Sequence, residues 1–384
     1  MMNVNKKMIG LAIAFLLLIA VGGLLSMQFN DASTKSDAIT SEKHVVKQLQ
    51  VKDKSIETSA TIAGIGDILL HDRVYEDAEK DGSYDFAPMF AGVKDILKTP
   101  DFLIANQESA PGGTEIGLST YPSFNSPHEI VDTLQDVGVD VVTTANNHSI
   151  DRGEKGLLSA IDYYEKVSMP YVGTFKNPED QAKIRTFNVN GIKFALLSYT
   201  YGTNGIPVPS GKEYLVNLID ENNMINEVKR ARELDVDMVV MSLHWGNEYE
   251  RFPNEEQKRL GKLMTDNGVD IILGHHPHVL QPIEKVKTED GREAVIVYSL
   301  GNFLSGQKDD YKDIGGMAVI TVNKTIQNGR VSLSYPSVDF EPTYVSEQGY
   351  SNYRLHPLSE AHKKGLISNS AKEINTHMFD GIAQ

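Results

Sequence analysis

The chain has 384 residues, a formal net charge of −15, 23% charged and 40% hydrophobic residues, and no cysteine. That length allows two domains or one large one with appendages, and the balance is that of a globular protein with a substantial core. The charge disfavours nucleic acid as a partner, and the missing thiols exclude disulfides, a cysteine nucleophile, thiolate metal sites and a lipid-modified N-terminal cysteine, so any metal must be held by nitrogen and oxygen.

Lys6 and Lys7 precede "MIGLAIAFLLLIAVGGLLSM", an uncharged run that spans about 30 Å as a helix. A cleaved signal peptide has a shorter apolar region and a small-x-small site. No clear site follows Met27, so residues 1–27 are expected to be a cytoplasmic stub and an uncleaved transmembrane anchor. The lysines before the span and Asp31 after it place the N-terminus in the cytoplasm by the positive-inside tendency. The expectation is a single-pass protein of the cell membrane with its C-terminal domain outside.

Residues 28–58, rich in Ser, Thr, Lys and Asp, read as a juxtamembrane linker. Beyond it a grammar repeats: a short apolar run, a polar cluster, then a helical pattern. The runs are "ATIAGI" (60 to 65), "FLIA" (102 to 105), "VDVVTT" (139 to 144), "KFALLSY" (193 to 199), "VDMVVMSL" (236 to 243), "VDIIL" (269 to 273), "AVIVYSL" (294 to 300) and "MAVITV" (317 to 322). They are β-rich and too short for independent helices. Between them "PHEIVDTLQDVG", "EKGLLSAIDYYEKV", "ENNMINEVKRAREL" and "NEEQKRLGKLMTDNG" predict helices, with Gly138 and Gly268 at left-handed C-terminal caps. "DVGVDVV", "ELDVDMVV" and "DNGVDII" share a helix-to-strand hinge typical of α/β packing. A layered α/β domain is expected over 59–345, and a weakly patterned C-terminal tail over 346–384.

Metal-capable residues directly follow five of these strands: Asp67 and His71 in "GDILLH", Asn106 and Glu108 in "NQE", Asn146, Asn147, His148 and Asp151 in "NNHSID", His244 in "HWG", and His275, His276 and His278 in "GHHPH". Ligands of α/β sheets gather beyond the carboxyl ends of strands, so one shared site is the economical explanation. Singly, most have a structural reading. Asp67 could cap a turn or helix, Glu108 could do the same, the paired asparagines could form a turn, and His244 could be a satisfied core histidine. Three clustered imidazoles are costlier to desolvate without purpose. Carboxylate, amide and imidazole suit Mn, Fe or Zn better than Ca, and a bridging carboxylate could hold two ions. Such a centre, or a local basic patch, is what a polyanionic substrate would need, because the overall field repels it. An uncoordinated imidazole nearby could protonate a leaving group.

Ser299 and Asn302 of "SLGNF" could line the site or merely turn the chain. Trp245, the only tryptophan, could contact substrate or pack over the site. No GxxxxGK[ST] loop is present, so the chain is not expected to use ATP.

The order Asp, acidic residue, Asn-His, His, His-x-His is similar to that of calcineurin-like metallophosphoesterases. The segments "GDILL", "ANQES", "ANNHSIDRG", "SLHWGNEY", "GVDIILGHHPHVLQPIE" and "VYSLGNF" resemble the motif series of poly-γ-glutamate capsule-synthesis proteins of the CapA/PgsA type, over about 60 to 306. The resemblance implies a layered β-sandwich of mixed sheets flanked by helices. It also implies a membrane-anchored, extracytoplasmic partner of a ligase and a small integral protein that polymerise and export poly-γ-glutamate. Carried over, Asp67, Glu108 and His278 would hold one divalent metal, and Glu108, Asn147, His244 and His276 a second. His148 would be the proton donor. His275, Asn106, Asn146 and Asp151 would support them or touch substrate. Two departures stand out: the superfamily's first motif has His two residues after Asp, where this chain has His71 four after Asp67, and Glu108 replaces an aspartate. Three functions are compatible: an accessory subunit of polymer synthesis and export, an extracytoplasmic metal-dependent phosphoesterase or amide hydrolase, and a metal-stabilised polymer-binding module without turnover.

Overall fold

The computed structural model describes residues 55–380. The expected anchor, residues 28–54 of the linker and the last four residues lie outside the described residues. Among the described residues no helix is long and apolar enough to cross a membrane.

Apart from a two-stranded hairpin, Glu79–Lys80 with Ser83–Tyr84, the strands form two large sheets and in chain order are β1 (Ser55–Leu69), β2 (Phe102–Gln107), β3 (Val141–Thr143), β4 (Tyr171–Val172), β5 (Arg185–Val189), β6 (Ile192–Thr200), β7 (Met238–His244), β8 (Ile271–His275), β9 (Leu280–Lys287), β10 (Glu293–Leu300), β11 (Asn302–Ser305), β12 (Ile314–Gln327), β13 (Arg330–Ser334), β14 (Val338–Ser346) and β15 (Arg354–Pro357). One sheet runs β15-β14-β12-β1-β2-β3-β4, with β11 beside β1 and β13 beside β12, and the other runs β9-β10-β8-β7-β6-β5. Both are mixed. β1 to β4 are parallel, while β12, β14 and β15 pair antiparallel. β6, β7, β8 and β10 are parallel, flanked by antiparallel β5 and β9.

The apolar runs bury both of their faces, which is why they are continuous rather than alternating. Ile62, Ile104, Val141, Phe194, Val240, Ile271 and Val297 form a core between the two sheets. Their strand neighbours point the other way. Ala63, Leu103 and Val142 pack under helices Glu129–Asp136 and Gly153–Val167. Ala195, Val239, Met241 and Ile272 pack under helices Glu221–Glu233 and Glu255–Asp266. The result is a sandwich of mixed sheets with helices on both outer faces, as expected. Asn254 and Gln257 close a capping box on the last of these helices. Gly138 and Gly268 have φ of 104° and 109°, beyond the reach of most side chains.

The repeated Val-Asp hinge has a physical role that its spacing alone did not disclose. Asp140 accepts from Leu103 N, Asp237 from Lys193 N and Asp270 from Val239 N, each at 2.8 Å. In return the amides of Asp140, Asp237 and Asp270 donate to the carbonyls of those same residues at 3.0, 2.7 and 2.9 Å. Each hinge therefore clamps the start of the neighbouring parallel strand and fixes its register, on which the facing of every side chain depends.

Two boundaries differ from expectation. Residues 55–58, assigned to the linker, extend β1 and pair with 324–327 of β12. Most of their side chains are solvent-exposed, so no apolar pattern marks the strand. Residues beyond 345 continue into β15 and two helices, Leu358–Lys363 and Ala371–Asp380. Leu358, Ile374 and Met378 enter the inter-sheet core. Those elements are short and contribute few apolar residues each, which hides their periodicity.

Asp270 is buried and ion-paired with both Arg232 and Arg292. Replacing it by Ala removes the one carboxylate that two half-buried guanidinium groups share and leaves the Val239 amide without its acceptor, and is expected to lower the unfolding free energy by about 3–5 kcal/mol. Asp140→Ala, at an exposed hinge, is expected to cost about 1 kcal/mol. Urea denaturation of both variants reads the difference, and equal losses would refute the clamp hierarchy.

Candidate metal centre

Asp67, Glu108, the 146–151 turn, His244 and the 275–278 turn converge where the carboxyl ends of the two sheets meet. Backbone pairing enforces the meeting: Asp67 is in register with Asn106 and with Asn302, and His275 with His244. The approach is so close that two glycines are required. A Cβ on Gly66 would lie 2.0 Å from the Gly301 carbonyl, and one on Gly274 would lie 2.0 Å from that of Tyr298. The Gly-Asp and Gly-His dipeptides thus mark strand exits pressed against their neighbours.

Asp67 and Glu108 are fully buried. Asn106 Nδ2 donates to Asp67 Oδ1 at 2.8 Å, and the Nδ1 atoms of His275 and His278 lie 3.2 Å from Oδ1 and Oδ2. Burial by itself would raise the Asp67 carboxyl, but the hydrogen bonds and charges of those two imidazoles outweigh it and hold Asp67 well below the usual range. Glu108 has no such donors. Neither of its oxygens has a hydrogen-bond partner. Burial, followed by the charge of Asp67, pushes it well above the usual range.

Around Glu108 stand atoms able to coordinate a cation. His244 Nε2 is 3.6 Å and His278 Nε2 3.8 Å from Glu108 Oε1, and His244 Nε2 is 2.8 Å from Asn147 Oδ1. Two ligands sharing one ion at bonds of about 2.0–2.2 Å are separated by about 3–3.5 Å, so these spacings suit adjacent positions on a metal. Three sets of candidate ligand atoms lie within 4.8 Å of one another: Asp67, Glu108 and His278; Glu108, His244 and His276; and Glu248, His276 and His278. Burial lowers the His276 pKa to about 3 and takes His244 well below its ordinary value, so both imidazoles are neutral at pH 7. Nδ1 of His244 and of His276 and Nε2 of His275 are buried without partners. An interior carboxylate without donors beside neutral imidazoles is a donor set suited to divalent cations.

The histidine turn is held in costly geometry. His276 and His278 have φ of 97° and 59°, each a strain of order 1–3 kcal/mol. Bracing comes from around it. Ser299 Oγ donates to Val279 O at 2.8 Å, and Asn302 Oδ1 lies 3.1 Å from His278 Nδ1. Trp245 lies beneath the turn rather than at its mouth, buried against Tyr298 with Nε1 donating to that residue's carbonyl at 3.0 Å. His275 touches Asp67 and belongs to none of the three ligand sets.

His148 is placed by its own turn. Its amide donates to Asn146 Oδ1 at 2.9 Å, Asn146 Nδ2 donates to Gln107 O at 2.9 Å, and His148 Nδ1 lies 2.7 Å from Asp151 Oδ2. With the Nδ1 proton held by Asp151, Nε2 is the atom left for chemistry. His71 stands apart from the ligand sets, with Nδ1 accepting from Gly306 N at 3.3 Å and its ring against Phe124. Buried Leu69 occupies the position two after Asp67.

Four residues at the site were not anticipated. Asn204 reaches both Asn147 and Nδ1 of His148, at 3.3 and 3.4 Å. Tyr201 packs on His276 and Tyr249 beside His278, with ring centroids 4.7 and 6.1 Å apart. Glu248 completes the third ligand set. Asn204 and Tyr201 follow β6, a strand end to which no site residue had been assigned. Glu248 and Tyr249 lie within the "HWGNEY" stretch that supplied His244.

Curated relatives include the Bacillus anthracis protein named capsule biosynthesis protein CapA, 31% identical over 64% of this chain and 60% of its own length. The Bacillus subtilis protein named PGA biosynthesis protein CapA is 32% identical over 63% of this chain and 62% of its own length. The chain therefore spans about 60% of the length of these relatives. Among solved structures, calcineurin-like phosphoesterase YfkN from Bacillus subtilis is similar with a TM-score of 0.44 and 14% identity, over 80% of this chain and 97% of that one. The NAD nucleotidase of Haemophilus influenzae gives 0.46 and 12%, over 82% of this chain and 62% of that one. The family model of the bacterial capsule synthesis protein PGA_cap matches residues 61–307, which carry the whole centre from Asp67 to Asn302, and the chain belongs to that family.

Proposed function

We propose that the chain acts in the synthesis and export of a poly-γ-glutamate capsule, as a membrane-anchored protein whose folded domain lies outside the membrane beside ligase and integral subunits. We further propose that its strand-end centre is a divalent-metal site for hydrolysis of a phosphoester or amide bond. The names of the relatives and the uncharged run at 8–27 support the first part. One observation carries the second: Glu108, buried and without hydrogen bonds, lies between two sets of ligand atoms.

In this reading Asp67, Glu108 and His278 hold one ion and Glu108, Asn147, His244 and His276 another, with Mn, Fe or Zn suited to the donors. Bound divalent ions supply Lewis acidity and a water of lowered pKa. The chain's own part is positional. Asp67 is fixed by Asn106 and His275, His278 is fixed by Asp67 and Asn302, and Asp151 keeps the His148 proton on Nδ1. His148, carrying protons on both ring nitrogens, would give the one on Nε2 to the leaving group and keep the other on Nδ1 against Asp151, with the Asn204 amide on the Nδ1 side.

Adding Mn2+ at about 100 times Kd should stabilise the protein by about 2.7 kcal/mol and raise its melting temperature by roughly 3–4 °C. Glu108→Gln should lose most of that rise, yet melt no lower than the parent protein in chelator, because the amide removes a buried carboxyl that lacks compensation. A Gln variant stabilised by metal as fully as the parent would sink the assignment.

Deleting the gene should abolish surface polymer, and a normal capsule in the deletion strain would remove the capsule role. Complementation with His148→Ala separates hydrolysis from binding. Loss of polymer with retained metal binding and turnover slowed about 100-fold or more fits a proton donor, whereas full capsule restoration would leave a binding module without chemistry.

A further inference from the structure

The metal ligands are buried, but the ring of residues at their mouth is not. Tyr121, Tyr201 and Tyr249 are 72%, 48% and 49% exposed. Each is linked to the centre through a different imidazole. Tyr201 packs on His276, Tyr249 lies beside His278, and Tyr121 packs on Phe124, whose ring meets that of His148 at 4.7 Å. Large aromatic faces left in water around a polar centre gain nothing in the isolated protein, and such rims mark ligand surfaces.

Cations accompany the rings although the chain as a whole is strongly acidic. Lys312 Nζ lies 5.3 Å from the Tyr249 ring, while Arg73 and Lys308 lie 5.2 and 4.7 Å from that of Tyr350, itself 55% exposed. Nε of Arg73 is buried with no hydrogen-bond partner, beside the Gly306 turn that meets His71. The two patches join through the strand exit at Asn302. Its Nδ2 donates to Gln307 Oε1 at 3.0 Å and to Lys312 O at 2.8 Å, and Gln307 Nε2 reaches Tyr249 OH at 3.4 Å.

Resting on the reading that the protein serves a poly-γ-glutamate capsule, we infer that this rim is a chain-binding collar: Tyr121, Tyr201 and Tyr249 hold an extended, carboxylate-bearing polyamide across the centre, with Arg73 and Lys312 meeting its carboxylates. A compact phosphate monoester would be held at the ligand cluster and would leave the rings unused. A γ-linked glutamyl chain offers what the rim can use, namely methylene stretches for aromatic faces, amide carbonyls for phenol hydroxyls, and one carboxylate per residue for cations. The collar thus selects an interior stretch of polymer over a small ester.

The test uses purified full-length protein and fluorescently labelled γ-linked glutamate oligomers of about ten residues, read by anisotropy. α-Linked oligomers of equal charge and free glutamate serve as comparators. The parent should bind the γ-linked oligomer at least tenfold more tightly than the α-linked one. Tyr201→Ala/Tyr249→Ala should weaken it at least tenfold, and Arg73→Ala should flatten its salt dependence. Tyr121→Ala, at the most exposed ring, provides the arm least able to disturb folding and should weaken binding at least threefold. Parent-like binding by the tyrosine variants, or no preference for the γ-linked oligomer, overturns the collar. Capsule lost with polymer binding intact overturns it too, and assigns the rim to a protein partner. A normal capsule in the deletion strain would instead remove the reading on which the collar rests, so the two failures are distinguishable.

Discussion

A carboxylate placed inside a protein without a donor is the constraint around which the carboxyl ends of both sheets are arranged. Asp67 takes the available compensation: an amide from Asn106 and two imidazoles. Glu108, in the same interior, receives none. Its cost is offset by a proton, as its raised pKa shows, or by a cation, and the surrounding atoms can coordinate one. This requires contributions from both sheets, because no single strand exit can surround an oxygen pair. Asp67 and Glu108 come from the sheet of β1 and β2, and His244 and the histidine turn from that of β7 and β8. A slip of one residue in β1 or β8 would turn Asp67 or His275 to the opposite face and dismantle the cluster. The hinge aspartates that clamp neighbouring strand starts therefore act at a distance on the site, by holding the registers that aim its residues.

The apolar runs were legible because burial on both faces leaves a continuous signal, and the residues just after them were legible because parallel strands deliver their carboxyl ends to one place. What escaped has physical reasons. The solvent-exposed start of β1 and the short elements after residue 345 carry too few apolar residues to reveal a period. At the site, Tyr201 and Asn204 lie in a Gly- and Pro-rich loop where neither charge nor imidazole drew attention. His71 was legible as a metal-capable type, but position 71 turns it toward the Gly306 amide and away from the ligand sets. Trp245 shows the converse. Its place directly after His244 is real, yet strand alternation sends it below the turn, where it fills the space against Tyr298 that Gly274 leaves open.

The strained turn and the rim meet at Asn302 and Tyr249 but each has further anchors of its own, with consequences for how chemistry and recognition can vary. His276 and His278 hold their positive φ through Asp67, Asn302 and the Ser299 brace, all within the strand exits. The loop bearing Glu248 and Tyr249 is tied to that turn, with Tyr249 N donating to Pro277 O at 2.8 Å, and has a second anchorage outside it. Buried Gln281, three residues past the turn, donates from Nε2 to the carbonyls of Glu250 and Phe252 at 2.7 and 3.1 Å, while its Oε1 accepts from Gln257 at 2.7 Å. The C-terminal helix closes over this arrangement, with His377 Nε2 3.0 Å from Leu280 O and its ring against Phe252. Substitutions around Gln281, Phe252 or His377 can therefore move the rim without touching an atom that holds Glu108, whereas substitutions at Gly66 or Gly274 strike the centre directly. A site whose rim has anchors beyond those of its ligands can change what it grips while keeping the geometry by which it acts.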